Sequence, residues 1–125
     1  MKFSTEKFSP KNDRYAKVRG GFSHFLYITC SKCEEPFITY QKDGKGKLLR
    51  CYTDRIVWPP KLVAAQKEVN AANVKQFGSI RCSNCNTILT NPMVYIPENR
   101  PAHRLVPDSV HMYKSIKQAI TKTKE

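Results

Sequence analysis

Two copies of one phrase, Ile28-Thr29-Cys30-Ser31-Lys32-Cys33 and Ile80-Arg81-Cys82-Ser83-Asn84-Cys85, constrain this chain more than any other feature. In a C-x-x-C turn the backbone reverses so that both sulfurs face one ion, while N–H groups inside the turn hydrogen-bond the thiolates and offset their charge. One turn supplies two ligands, and a tetrahedral soft ion takes four. The second turn begins after 48 intervening residues, and the match extends beyond the cysteines at a constant offset of 52: Ser31 with Ser83, Ile28 with Ile80, Phe37 with Leu89. Cys30, Cys33, Cys82 and Cys85 are therefore assigned as ligands of one Zn²⁺. With all four positions filled by protein, such a site is structural and lacks the open position that a catalytic zinc keeps. Iron fits the same four sulfurs, so zinc is inferred from ligand softness and metal availability.

The chain has 125 residues and five cysteines, the length of a single domain in which a metal staple matters. Residues 1–10 alternate charged and polar side chains, and no apolar run approaches the ~18 residues that span a bilayer. The expectation is an intracellular, cytoplasmic protein, nuclear in a eukaryote, without membrane contact. Paired cysteines in that reducing setting read as metal ligands, not disulfides. The net charge is +12. Four thiolates and one Zn²⁺ bring it to about +10, still enough to make nucleic acid, DNA or RNA, or a nucleoprotein complex the natural partner.

Residues 1–20 hold Lys2, Lys7, Lys11, Arg14, Lys17 and Arg19 against Glu6 and Asp13, and read as a basic, solvated arm whose Phe3, Phe8 and Tyr15 would order on a partner. Residues 21–125 form one zinc-binding domain. Phe22 to Thr29 is rich in β-branched and aromatic residues and reads as a strand running into the first turn; Pro36 to Tyr40 resumes as a second. Asp43-Gly44 and Gly46 suggest a hairpin over 41–47, with Leu48 to Ile56 as its returning strand. Leu62, Ala65, Val69 and Ala72 predict an inserted helix over about 61–77, after Trp58-Pro59-Pro60 and before Gly78. Thr87 to Thr90 and Met93 to Ile96 read as a hairpin about Asn91-Pro92, and His103 to Val106 as a third strand. Val110, Tyr113, Ile116 and Ile120 form a helical stripe over about 109–122, with Lys114, Lys117, Lys122 and Lys124 on its other side. The fold class is α+β, mostly β: a small zinc-stapled antiparallel sheet of two hairpin units with a short inserted helix and a C-terminal helix.

The C-S-K-C and C-S-N-C turns, each leading into a strand, resemble a zinc ribbon. The wide spacing and the strands after the second pair are similar to the β-tent group that includes the Yippee, cereblon ligand-binding and methionine sulfoxide reductase B domains, over residues 22 to 107. Ribbons often place Gly after the second cysteine, where this chain has Glu34 and Asn86. The resemblance implies a zinc-held β fold. Its reductase chemistry needs a cysteine beyond the second pair, which this chain lacks, and its cereblon-type cage needs several tryptophans where Trp58 stands alone.

Three functions compete. The leading one is a non-catalytic module that meets nucleic acid through Lys42, Lys45, Lys47, Arg50 and Arg55 on the hairpin. The second is a protein-interaction subunit using a face with Phe25, Tyr27, Ile38 and Tyr40. The third is an enzyme built on Cys51, as a thiolate tuned by Arg50 or Arg55, or on the loop holding Glu98, Arg100, His103 and Arg104. For Cys51 the plainer reading is a small buried hydrophobe; for the loop it is pairing of Arg100 and Arg104 with Glu98 and Asp108, with phosphate contact by the two arginines as the next reading.

Overall fold

The computed structural model describes residues 2–123, and the side chains of residues 2–119. Eight strands form two four-stranded sheets. The first contains β1 (Ser23–Cys30), β2 (Pro36–Asp43), β4 (Ile56–Trp58) and β8 (Val110–Tyr113), in the order β4-β2-β1-β8. The second contains β3 (Arg50–Tyr52), β5 (Ile80–Arg81), β6 (Ile88–Tyr95) and β7 (Arg100–Leu105), in the order β3-β7-β6-β5. Four short helices complete it: α1 (Arg14–Val18), α2 (Pro60–Gln66), α3 (Val74–Phe77) and α4 (Ile116–Thr123). Among the described residues no helix is long and apolar enough to cross a membrane. The mostly-β, α+β expectation holds.

Each sheet carries one metal turn, between β1 and β2 and between β5 and β6, and the repeat seen in the sequence is a repeat of geometry. Ile28 pairs with Ile38 in one ladder and Ile80 with Thr90 in the other, the same register 52 residues on. Between the sheets lie Leu26, Ile28, Ile38, Tyr40, Leu48, Cys51, Ile56, Leu89 and Leu105, an apolar core that abuts the cysteines. Burying such side chains stabilises by roughly 1.5–3 kcal/mol each before chain entropy is charged.

Several expectations give way to tertiary packing. The returning strand over 48–56 is two strands in different sheets. After β2 the chain crosses over, buries Leu48 and Cys51, and pairs β3 with β7; a 3-10 turn at Thr53–Arg55 then sends β4 back to β2. The glycines do make the expected turn, and Gly44 (φ 78°) has no alternative residue: a Cβ there would lie 2.7 Å from the carbonyl oxygen of Arg19. The inserted helix is broken into α2 and α3, because Asn70 and Asn73 turn their side chains onto backbone N–H groups of residues 70–73 and compete with the helical bonds. No hairpin forms at Asn91-Pro92. β6 runs straight through, because β5 pairs with it only as far as Thr90, and Pro92 sits where one edge needs no donor. Finally, Val110 to Tyr113 is a strand, taken up by the open edge of β1, and the helix starts only at Ile116. Of that stripe and its basic side, the side chains of Ile120 and Lys122, and all of Lys124, lie outside the described residues.

Residues 2–20 lie against the first sheet at several points, although most of their side chains stay exposed. Lys11 exchanges two backbone bonds with the side chain of Gln41, Asp13 caps α1, and Ala16 is buried. Phe3 packs on Tyr27 and Trp58, and Phe8 on Phe25, so that this segment and α4 cover the outer face of the first sheet with a second small apolar cluster. The face imagined for a protein partner does not exist as one surface. Tyr40 stands opposite Leu26 and Ile38 opposite Ile28 in the ladder, which puts both in the core, while Phe25 and Tyr27 project to the other side under the N-terminal segment.

Candidate functional site

The two turns bring Cys30, Cys33, Cys82 and Cys85 together, with all four sulfurs within 4.8 Å of one another. Across the turns, Cys30 Sγ lies 3.6 Å from Cys85 and Cys33 Sγ 3.5 Å from Cys82, with no disulfide. A tetrahedron with metal–sulfur bonds of ~2.3 Å has edges of about 3.8 Å, so the donor set fits one ion. Within each turn the residue after the second cysteine donates its N–H to the carbonyl of the first, Glu34 to Cys30 at 2.9 Å and Asn86 to Cys82 at 3.0 Å. Both residues are left-handed, at φ 62° and 64°. Asn tolerates that conformation; Glu34 is held in it by Thr29 Oγ1 (3.2 Å) and by His111 Nδ1 (2.9 Å) on its carboxylate. Glycine is thus dispensable in this fold because side chains of β1 and β8 anchor the turn.

The thiols are electrostatically unequal. Burial pushes Cys30 up and Cys82 up to about 12, whereas a hydrogen bond with Thr87 Oγ1 pulls exposed Cys85 down to about 6. Four such groups cannot all ionise at these distances without a cation between them. A bound dication supplies that compensation and makes metal affinity fall with pH, since each proton gained removes a ligand.

The five expected basic contacts separate into two groups. Lys45 and Lys47 are exposed and Arg50 half-exposed. Lys42 is instead buried, its ammonium donating to the carbonyls of Asp43, Gly44 and Lys45, and burial draws its pKa down. Arg55 is fully buried and spent on three carboxylates: Nε to Asp43 at 2.7 Å, its terminal nitrogens to Asp13 at 2.6 Å and Asp54 at 3.2 Å. Neither is placed to touch phosphate. The ion-pair reading of the 98–104 loop holds for Arg100, which pairs with Glu98 and also with Asp54, while Glu98 accepts from Arg19 as well; Arg104 pairs with neither Glu98 nor Asp108 among the described residues.

Residue contacts invisible in the sequence arise from the β3–β7–β6 register. Arg50 stands directly opposite Arg104, and Arg104 opposite Asn91. Arg104 is exposed and makes no ion pair among the described residues; Arg50 lies over the Tyr95 ring at 3.9 Å and donates to the Tyr52 hydroxyl. Behind them Arg100 is sandwiched between Tyr15 and Tyr52, at 3.9 and 3.7 Å. Two unpaired like charges facing each other across a ladder cost stability, and an anion removes that cost.

Cys51 is buried beside His103 in the same ladder, and burial alone lifts its pKa far above that of a free thiol. His103 is equally buried, bonded to Gln66 at 3.0 Å, and burial lowers its pKa to about 4. The pair is an uncharged part of the core. In the metal-loaded native protein Cys51 will stay unlabelled by iodoacetamide while denatured protein takes label on it; native labelling, read by mass spectrometry, would restore thiol chemistry as a reading. Comparisons with family models, curated proteins and solved structures return no match to this chain.

Proposed function

We propose that the four-thiolate centre holds zinc as a structural ion, and that this protein is a non-catalytic binding module which associates with nucleic acid or a nucleoprotein complex. The observation that carries the reading is the Arg50–Arg104 pair: two arginines directly opposite each other on β3 and β7, neither in an ion pair among the described residues, with Arg50 over the ring of Tyr95. Guanidinium groups so spaced suit successive phosphates, and an adjacent aromatic face suits a base. Lys45 and Lys47 on the neighbouring turn extend the positive surface, and the zinc contributes by fixing the two sheets against each other. Lys42 and Arg55 keep the fold and leave the interface.

Binding to single-stranded DNA or RNA, followed by anisotropy, will weaken steeply with salt. Arg104→Ala and Arg50→Ala will each reduce the magnitude of the slope of log K against log salt by about 1. Absence of retention on either nucleic acid at low salt sinks the reading. A protein partner is the second reading, and one observation favours it: an apolar groove of about 340 Å³ beside the metal centre, lined by Phe37, Leu62, Ala65 and Ile80. Co-purification insensitive to salt is its signature.

A further inference from the structure

Beneath Arg50 the basic surface opens into a recess of about 120 Å³ lined by Arg19, Tyr40, Lys42, Lys47, Arg50 and Tyr52. Its only carboxylate, Asp43, is already engaged, Oδ1 by Ser23 and Gln41 and Oδ2 by Arg55. What remains unspent is donor capacity. The Tyr40 hydroxyl, on a side chain 1 % exposed, accepts from the Tyr52 N–H at 2.7 Å and has no acceptor for its own proton among the described residues. The Tyr52 hydroxyl accepts from Arg19 and Arg50, both at 2.9 Å, and its proton is likewise unplaced. Lys47 and the terminal nitrogens of Arg50 make no ion pair there. Arg19 and Lys42 are occupied, by Glu98 and by backbone carbonyls, and contribute field more than bonds.

A cavity whose free groups are all donors, under net positive charge, is built for an oxyanion. The recess is small and open on one side, with room for a phosphoryl group. We propose that the recess binds a phosphate monoester, the terminal phosphate of a nucleic-acid strand. An internal phosphodiester offers two non-bridging oxygens and carries a sugar on either side. A terminal monoester offers three oxygens and two charges on one stalk, which suits a small recess lined by Tyr40, Tyr52, Lys47 and Arg50. The inference rests on the nucleic-acid reading and adds an end preference to it.

The test compares a labelled twelve-nucleotide strand bearing a 5′-phosphate, a 3′-phosphate or neither, with an unphosphorylated thirteen-nucleotide strand to match the phosphate count, at one low ionic strength. One phosphorylated end will bind about tenfold tighter than the count-matched strand, and inorganic phosphate will compete away that advantage. Lys47→Ala, an exposed substitution, will weaken every strand and abolish the preference, so that the phosphorylated and count-matched strands bind that variant with equal affinity. Equal affinity for all four strands overturns the end-phosphate site and leaves the nucleic-acid reading standing. Failure of every strand to bind overturns both. A preference that survives Lys47→Ala and resists inorganic phosphate removes the recess as its source.

Discussion

Chelating the metal, or replacing Cys30 with serine, will unfold this protein. A structural zinc contributes apparent binding free energies of about 10–16 kcal/mol, and a domain's whole net stability is about 5–15 kcal/mol, so loss of the ion removes as much as the fold has to spare. The geometry makes the loss global. The centre takes one pair of sulfurs from the turn between β1 and β2 and the other from the turn between β5 and β6, so it joins the two sheets across the end of their shared core. Without a cation, the crowded thiols repel once ionised. The expected readings are one metal per chain by elemental analysis and coincident loss of near-UV and far-UV circular dichroism on chelation. Cys51→Ala is the control. It opens a small cavity, costs about 1–2 kcal/mol and leaves metal stoichiometry unchanged. A chelated protein with unaltered dichroism would refute a structural role for the ion.

Arg55→Met is expected to be the most damaging substitution outside the metal centre. Its guanidinium is 0 % exposed and its Nε meets Asp43, whose side chain is 4 % exposed. Removing one partner of a buried pair strands the other charge, which costs about 3–5 kcal/mol, or a fall in Tm of roughly 10–20 °C for a chain of this size. The same substitution frees residues 2–20, because Asp13, the cap of α1, loses its partner. Trypsin will then cut first after Lys11, Arg14 and Lys17. The pH dependence separates the charge effect from simple loss of packing. The hydrogen bond from Arg55 holds the Asp13 carboxyl down at about 2, and with Ser23 and Gln41 Arg55 holds Asp43 below its usual range despite burial. A carboxyl depressed in the folded state stabilises above its unfolded pKa near 4 and loses that contribution as pH falls toward 2. In Arg55→Met the stranded Asp43 is relieved by protonation, so the gap between the two proteins will narrow below about pH 4. A gap constant from pH 7 to 3 would assign the loss to packing.

The parts of the fold legible in the sequence are those specified by local chemistry. The two C-x-x-C turns, β1, β2 and the glycine turn after Asp43 follow from residues within a few positions of one another. So does the burial of Cys51. Misread segments are those in which a local pattern fits two structures. Val110 to Tyr113 satisfies a helical stripe and a strand equally, and the unpaired edge of β1 takes it as a strand. Asn91-Pro92 is a turn sequence that stays extended because β7 pairs with it along its length. Residues 2–20 carry the composition of a solvated arm, yet one capping aspartate and two phenylalanines find partners seventeen or more residues away.

The functional surface divides in the same way. Charge and composition name a polyanion as the partner, but they count Arg55 and Lys42 equally with Arg50 and Arg104, because a sequence records charge without recording what faces it. By itself, the sequence determined the four-thiolate site and the pairing of two like β units around it, since metal ligation demands specific atoms at specific short spacings. The register of β3 against β7 and the burial of Arg55 were decided only by the tertiary structure. Both depend on which apolar side chains fill the space between the sheets, and that is a property of residues fifty positions apart.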